Sequence, residues 1–148
     1  MKILFLDCDG VLNNKATLSA GESCWLLDDN CLLLLKEIVD KTGCSIVLTS
    51  TWRYYDKGKS ALKDAFSKHH IPLWISQTKD LNSSGGDRPR KEEISQWLID
   101  NGIDLFDDKI AILDDDVDAC LVEDWFFRTF FKDGLTKEIT DSVIRHLE

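Results

Sequence analysis

Met1-Lys2-Ile3-Leu4-Phe5-Leu6-Asp7-Cys8-Asp9-Gly10 opens the chain, and the reading of this stretch decides the fold. An apolar, β-type run stops abruptly at two carboxylates spaced i, i+2, with Gly10 and then Val11-Leu12-Asn13 behind them. Successive side chains of a strand leave on opposite faces, so Asp7 and Asp9 point the same way for as long as the strand persists. Acids at the carboxyl end of a parallel strand stand in the crevice where open α/β sheets bind ligands. Clustered carboxylates repel one another, and a divalent cation lets them stay ionised. Gly10 allows the backbone to turn sharply away. Asp and Gly are also ordinary turn residues, so the pair taken alone fits a solvated turn equally well.

Outward from this stretch, strands alternate with helices, the pattern of a parallel sheet covered on both faces. The first strand is expected near Lys2 to Asp7, followed by a polar segment over 13–27. A helix near Asn30 to Lys41 carries Leu32, Leu35, Ile38 and Val39 as its core stripe and stops at Gly43. Ser45 to Leu48 is β-branched and apolar, as a sheet interior requires. A helix near Lys59 to His69 and a strand Leu73-Trp74-Ile75 come next. Asn82 to Gly86 reads as a flexible loop. Pro89 suits the first turn of a helix carrying Ile94, Trp97 and Leu98 and closing near Gly102. Strands at Ile110 to Leu113 and near Phe126 to Phe130 follow. The terminal helix starts at a Thr136 N-cap and buries Ile139, Val143, Ile144 and Leu147.

Composition bounds the function classes. At 148 residues, 43% hydrophobic and 30% charged, the chain has enough apolar material for one globular core, and a single domain over 1–148 is expected. No apolar stretch is long enough to span a bilayer, and the amino terminus lacks the features of a secretory signal. Cys8, Cys24, Cys31, Cys44 and Cys120 form an odd set without a C-x-x-C pair, which disfavours structural zinc and a disulfide framework and suits a cytoplasmic setting. None is followed six positions on by arginine, the spacing of a cysteine-nucleophile phosphatase loop. A formal charge of −9 makes duplex nucleic acid and anionic membranes poor default partners. Lys57, Lys59, Lys63, Arg88, Arg90 and Lys91 would nonetheless form a basic rim if the fold gathers their two segments; singly, each reads as a solvated charge.

Three further stations follow Leu6-Asp7-Cys8-Asp9-Gly10-Val11-Leu12 in order. Thr49-Ser50-Thr51-Trp52-Arg53 comes after the second strand, Lys91 opens a helix, and Asp114-Asp115-Asp116-Val117-Asp118 ends a late strand. Together they resemble the signature of the haloacid dehalogenase-like (HAD) hydrolases, most of which are magnesium-dependent phosphatases. Leu48 to Arg53, Leu113 to Asp116 and Asp133 to Thr136 are most similar to the small capless phosphatase domains found alone or in RNA-repair (Swiss Army Knife) proteins. The resemblance implies an α/β, Rossmann-like three-layer sandwich with a five-stranded parallel sheet and minimal or no cap. The gaps 10–45 and 53–88 agree, since neither accommodates an independent core; a folded domain below about 40 residues rarely stands alone. The site is then open to bulky substrates, unless a partner or the 13–27 segment closes it.

What the resemblance implies chemically is specific. Asp7 is the nucleophile that forms an aspartyl-phosphate, and Asp9 is the general acid and then the base. Mg2+ is held by Asp7, the backbone carbonyl of Asp9 and the late cluster. Asp115 is the chosen ligand there, with Asp114 beside it orienting Lys91, while the Asp114/Asp118 spacing leaves the register open by one residue. Thr49 or Ser50 and the ammonium of Lys91 bind phosphate; Thr51 and Ser50 also suit a helix cap, and Arg88 or Arg90 can replace Lys91. Arg53 offers a planar fork for a second phosphate contact, or else a surface salt bridge. Trp74, Trp97, Trp125, Phe126 and Phe127 read as core, Trp25, Tyr54 and Tyr55 flank the site, and the three histidines have no assigned role.

The expected activity is therefore a magnesium-dependent phosphomonoesterase acting on an accessible phosphate, a polynucleotide 3′-phosphate or a phosphoprotein. The alternative is a non-catalytic binding or regulatory module on the same fold, which the intact Asp7/Asp9 pair disfavours. A dehalogenase would not need the second acid.

Overall fold

The computed structural model describes residues 1–21, 23–81 and 89–148. Five parallel strands form one sheet: β1 (Lys2–Leu6), β2 (Ser45–Leu48), β3 (Ser76–Gln77), β4 (Lys109–Asp114) and β5 (Phe126–Arg128), in the order β3-β2-β1-β4-β5. The chain winds outward from β1 through β2 to β3, then returns to the other side of β1 for β4 and β5. The order thus reverses between β1 and β4, which opens a crevice at their carboxyl ends.

Alternation along the strands sorts side chains into two cores. Leu4, Leu6, Ile46, Leu48, Ala111 and Leu113 face α2 (Asp29–Thr42), α3 (Asp56–Lys68) and α5 (Lys137–Leu147). Ile3, Phe5, Val47, Ile110 and Ile112 face α4 (Arg90–Asp100), where Ile94, Trp97 and Leu98 cover them. These are the three layers of an α/β sandwich. The α2 stripe Leu32, Leu35, Ile38 and Val39 is buried as its spacing predicts, Asp28 caps the helix through the Cys31 amide, and Gly43 ends it at φ 68°. In α5, Thr136 accepts from the Ile139 amide; Val143, Ile144 and Leu147 are buried and Ile139 partly so. Trp74, Trp97 and Phe127 pack in or against the cores, Trp97 edge-on to Phe5 at 5.4 Å and Trp74 to Phe66 at 5.7 Å.

Three elements differ from their expected places. The predicted strand at Leu73-Trp74-Ile75 pairs instead at Ser76–Gln77, because Trp74 turns into the core against Phe66 and the ladder begins only with the Ile75 amide on the Ile46 carbonyl. β5 stops at Arg128 rather than Phe130, where the chain enters a turn closed by a Phe130–Gly134 bridge. The polar 13–27 segment contains a short helix, α1 (Lys15–Ala20), capped by Asn14 and burying none of its residues. The segment is docked instead by Trp25, which meets Trp52 edge-on at 5.2 Å and Tyr55 at 5.6 Å. Gly58 makes room for it: a Cβ there would stand 2.9 Å from the Trp25 ring. The predicted loop Asn82–Gly86 lies outside the described residues. Among the described residues, no helix is long and apolar enough to cross a membrane.

Candidate active site

Asp7 directly follows β1 and Asp114 ends β4, so adjacent strand ends bring two acids together. The Asp7 amide donates to the Leu113 carbonyl at 3.1 Å, which extends the ladder to the site. Asp115 completes the group, and carboxyl oxygens of Asp7, Asp114 and Asp115 lie within 4.8 Å of one another. The loop after β1 can pass this close because Gly10 adopts φ 75°. Thr129, fully buried after β5, ties the loop down by donating its hydroxyl to the Gly10 carbonyl and its amide to the Asp114 carbonyl.

Asp7, Asp9, Thr51, Arg90, Asp114, Asp115, Asp116, Asp118 and Ala119 line one cavity. Within it, burial pushes the Asp7 carboxyl up to about 6, helped by the charge of Asp115 and opposed by Arg90. Burial and the neighbouring Asp7 push Asp114 up to about 9. Asp115 is raised as well, by burial and by Asp116. Three crowded carboxyls cannot all ionise without a compensating cation. An all-oxygen donor set without His or Cys fits Mg2+ or another hard divalent ion. Asp9 borders the same cavity but is exposed, and its carboxylate accepts a hydrogen bond from Asn13 at 3.0 Å. The buried Cys8 thiol is pushed well above its usual range by burial and by Asp7, so it is no competing nucleophile.

The cationic side of the cavity belongs to Arg90. Lys91, the expected phosphate contact, is exposed at the start of α4 and outside the cavity lining. One residue along a helix turns a side chain through about 100°, enough to exchange cavity for solvent. Arg90 is buried, lowers the Asp7 pKa, and keeps a buried Nη1 without a hydrogen-bond partner among the described residues. Arg88 lies outside the described residues. None of Lys57, Lys59 and Lys63 lines the cavity, so the expected basic rim does not form its wall.

Arg53 does not line the cavity, and it is not a surface residue. Its guanidinium is fully buried, donating to the Thr78, Thr49 and Ser50 carbonyls and, at 2.9 Å, to the Glu93 carboxylate. It clamps the loop after β2 to α4, with Tyr54 stacked over it at 4.3 Å. Thr49 and Ser50 are buried and do not line the cavity; the Ser50 hydroxyl accepts from the Trp52 amide as a cap. The residue of this loop that reaches the cavity is Thr51. Three consecutive hydroxyl residues carry no periodicity to rank them, and Thr49 stands out in the sequence only because it directly follows the apolar run.

A family model described as the HAD domain in Swiss Army Knife RNA repair proteins matches residues 3–139. The chain belongs to that family. No curated protein and no solved structure matches it. HAD domains are in general hydrolases of the phosphatase kind, and the acid cluster at the β1/β4 switch point of this HAD domain is of the type that holds a divalent cation. The match spans the sheet with all five strands, from Ile3 in β1 to Ile139 in α5.

Proposed function

We propose that this HAD domain is a magnesium-dependent phosphomonoesterase that removes the terminal phosphate from a polynucleotide end through an aspartyl-phosphate on Asp7. The observation that carries the reading is the pairing of opposite demands in one cavity. Asp7, Asp114 and Asp115 call for a cation, and the buried Arg90 beside them, with a donor unpaired among the described residues, calls for an anion. A phosphomonoester with a metal ion meets both. The printed description of the family, RNA repair proteins, supports a polynucleotide as the carrier of that phosphate.

The residues have separable tasks. A carboxylate oxygen of Asp7 attacks phosphorus as the bond to the leaving oxygen breaks, and Asp9 gives that oxygen its proton. Asp9 then takes a proton from water, which attacks the same phosphorus, releases inorganic phosphate and restores Asp7. Arg90 and the Thr51 hydroxyl hold the phosphoryl oxygens, the charge of Arg90 opposing the charge that builds there. When bound by Asp7, Asp114 and Asp115, Mg2+ supplies Lewis-acid charge neutralisation. Among the described residues, none of 14–27 lines the cavity, which supports access for a macromolecular substrate.

The test is phosphate release with and without Mg2+ from an aryl phosphate, a phosphotyrosine peptide and a 3′-phosphorylated oligonucleotide, comparing wild type with Asp7→Asn. Activity greatest on the oligonucleotide, and lost with either Mg2+ or Asp7, is the expected result. Preference for the peptide would move the substrate to phosphoproteins. Silence on all three would make the chain a non-catalytic module.

A further inference from the structure

Asn13 is fully buried, and both polar atoms of its side chain are hydrogen-bonded, to Gly10, Asp9 and Leu26. Its side-chain oxygen accepts the Gly10 amide at 2.8 Å. Its Nδ2 donates to Asp9 Oδ1 at 3.0 Å and to the Leu26 carbonyl at 3.1 Å. Its backbone is fixed too: a Cβ on Gly134 would stand 2.7 Å from the Asn13 carbonyl, and the Leu135 amide donates to Val11 at 2.8 Å. Asp9, by contrast, is exposed and would sample several rotamers without a tether.

We propose that Asn13 is a positioning residue that aims the Asp9 carboxyl at the leaving-group oxygen while fastened to the returning end of the 14–27 segment. This rests on the phosphatase reading above. An amide N–H can only donate, so Oδ1 of Asp9 is kept as an acceptor and the proton that Asp9 transfers rides on Oδ2. The same amide group also holds the Leu26 carbonyl, so the acid and the end of that segment keep one register. Aspartate at position 13 would still accept the Gly10 amide but would have nothing to donate to Asp9 or Leu26. Alanine would lose all three bonds.

Leaving-group dependence separates aim from general integrity. Phenyl and 4-nitrophenyl phosphate are alike in shape, but phenolate is the more basic leaving group and needs the proton of Asp9 more. With a 3′-phosphorylated oligonucleotide, whose alkoxide needs it most, they form the substrate panel. The kcat/KM of each reports the step that forms the aspartyl-phosphate.

Asn13→Asp and Asn13→Ala should each lower kcat/KM about tenfold more on phenyl phosphate and the oligonucleotide than on 4-nitrophenyl phosphate. In an Asp9→Asn background the same substitutions should add less than about a twofold loss, since the group being aimed is gone. Equal losses on every substrate, no loss, or an undiminished loss beside Asp9→Asn would overturn the role. The rate on 4-nitrophenyl phosphate doubles as the check that each variant is folded. A wild type silent on the whole panel would instead sink the phosphatase reading, and the role of Asn13 with it.

Discussion

A Cβ added to Gly10 would stand 2.2 Å from Oδ2 of Asp115. The loop after β1 and the loop after β4 therefore close on each other through a contact that only glycine permits. Gly10→Ala meets two penalties, the left-handed backbone at φ 75° and the displaced carboxylate. The first costs about 1–2 kcal/mol by itself. The second should weaken Mg2+ binding about 10- to 100-fold, the usual effect of disturbing what orients a ligand. Thermal melts with and without Mg2+ separate the two, the first showing in metal-free protein and the second in the lost metal-induced shift.

Arg90 and Lys91 are neighbours in sequence with opposite surroundings. Arg90→Ala should lower kcat/KM on an aryl phosphate by about 100-fold or more, the scale set by losing a buried donor to developing oxyanion charge. It should also raise the Asp7 pKa further, because the Arg90 charge holds it down. Lys91→Ala, at an exposed position, should change activity and stability little. Steady-state kinetics of the two variants side by side decide which cation serves the site.

The metal-free protein should lose stability as pH rises. Asp7 is lifted from 3.8 to about 6 and Asp114 from 3.8 to about 9 in the folded chain. Below 3.8 both states hold these protons, and the stabilisation from keeping the buried groups neutral is fully present. From about 4 to 9 the folded chain retains protons that the unfolded chain has released, so stability falls across that window. On the proposed function Mg2+ would take the place of those protons, so the shift it produces should grow with pH. Melting curves in chelator and in Mg2+ at about pH 5 and about pH 8 test this. A metal-induced shift of equal size at both would contradict it.

Arg53 and Glu93 form a buried ion pair at 2.9 Å, and Glu93 also accepts the Leu81 amide at 3.1 Å. Removing one partner leaves an uncompensated charge, so Glu93→Ala should destabilise by about 3–5 kcal/mol in urea denaturation. The double variant Arg53→Met with Glu93→Ala should recover part of that loss. It should not recover activity fully, because Arg53 also holds the Thr49 and Ser50 carbonyls of the loop that carries Thr51.

Much of the fold is legible in the chain because it is written in local periodicity. The apolar run before Asp7 and the one before Asp114 are strands wherever they pack, and the acids that end them mark the crevice. The α2 stripe and its Gly43 end are set by side-chain spacing and backbone geometry alone, whereas its Asp28 cap emerges from the structure. The family resemblance could be read from four stations because their order along the chain needs no coordinates.

What only the tertiary structure decided is where individual side chains end up. Arg90 rather than Lys91 faces the cavity because the start of α4 sets the helical phase. Thr51 rather than Thr49 reaches it because the chain tightens into a 3₁₀ turn over Thr51–Tyr54 after β2. Arg53 is buried because Glu93, forty positions on, arrives on the far layer to neutralise it. Asn13 is joined to Asp9 and Leu26 by a loop path that no periodicity encodes. Periodic patterns specify elements because they repeat; a site is made of single contacts between distant residues, and those exist only once the layers have packed.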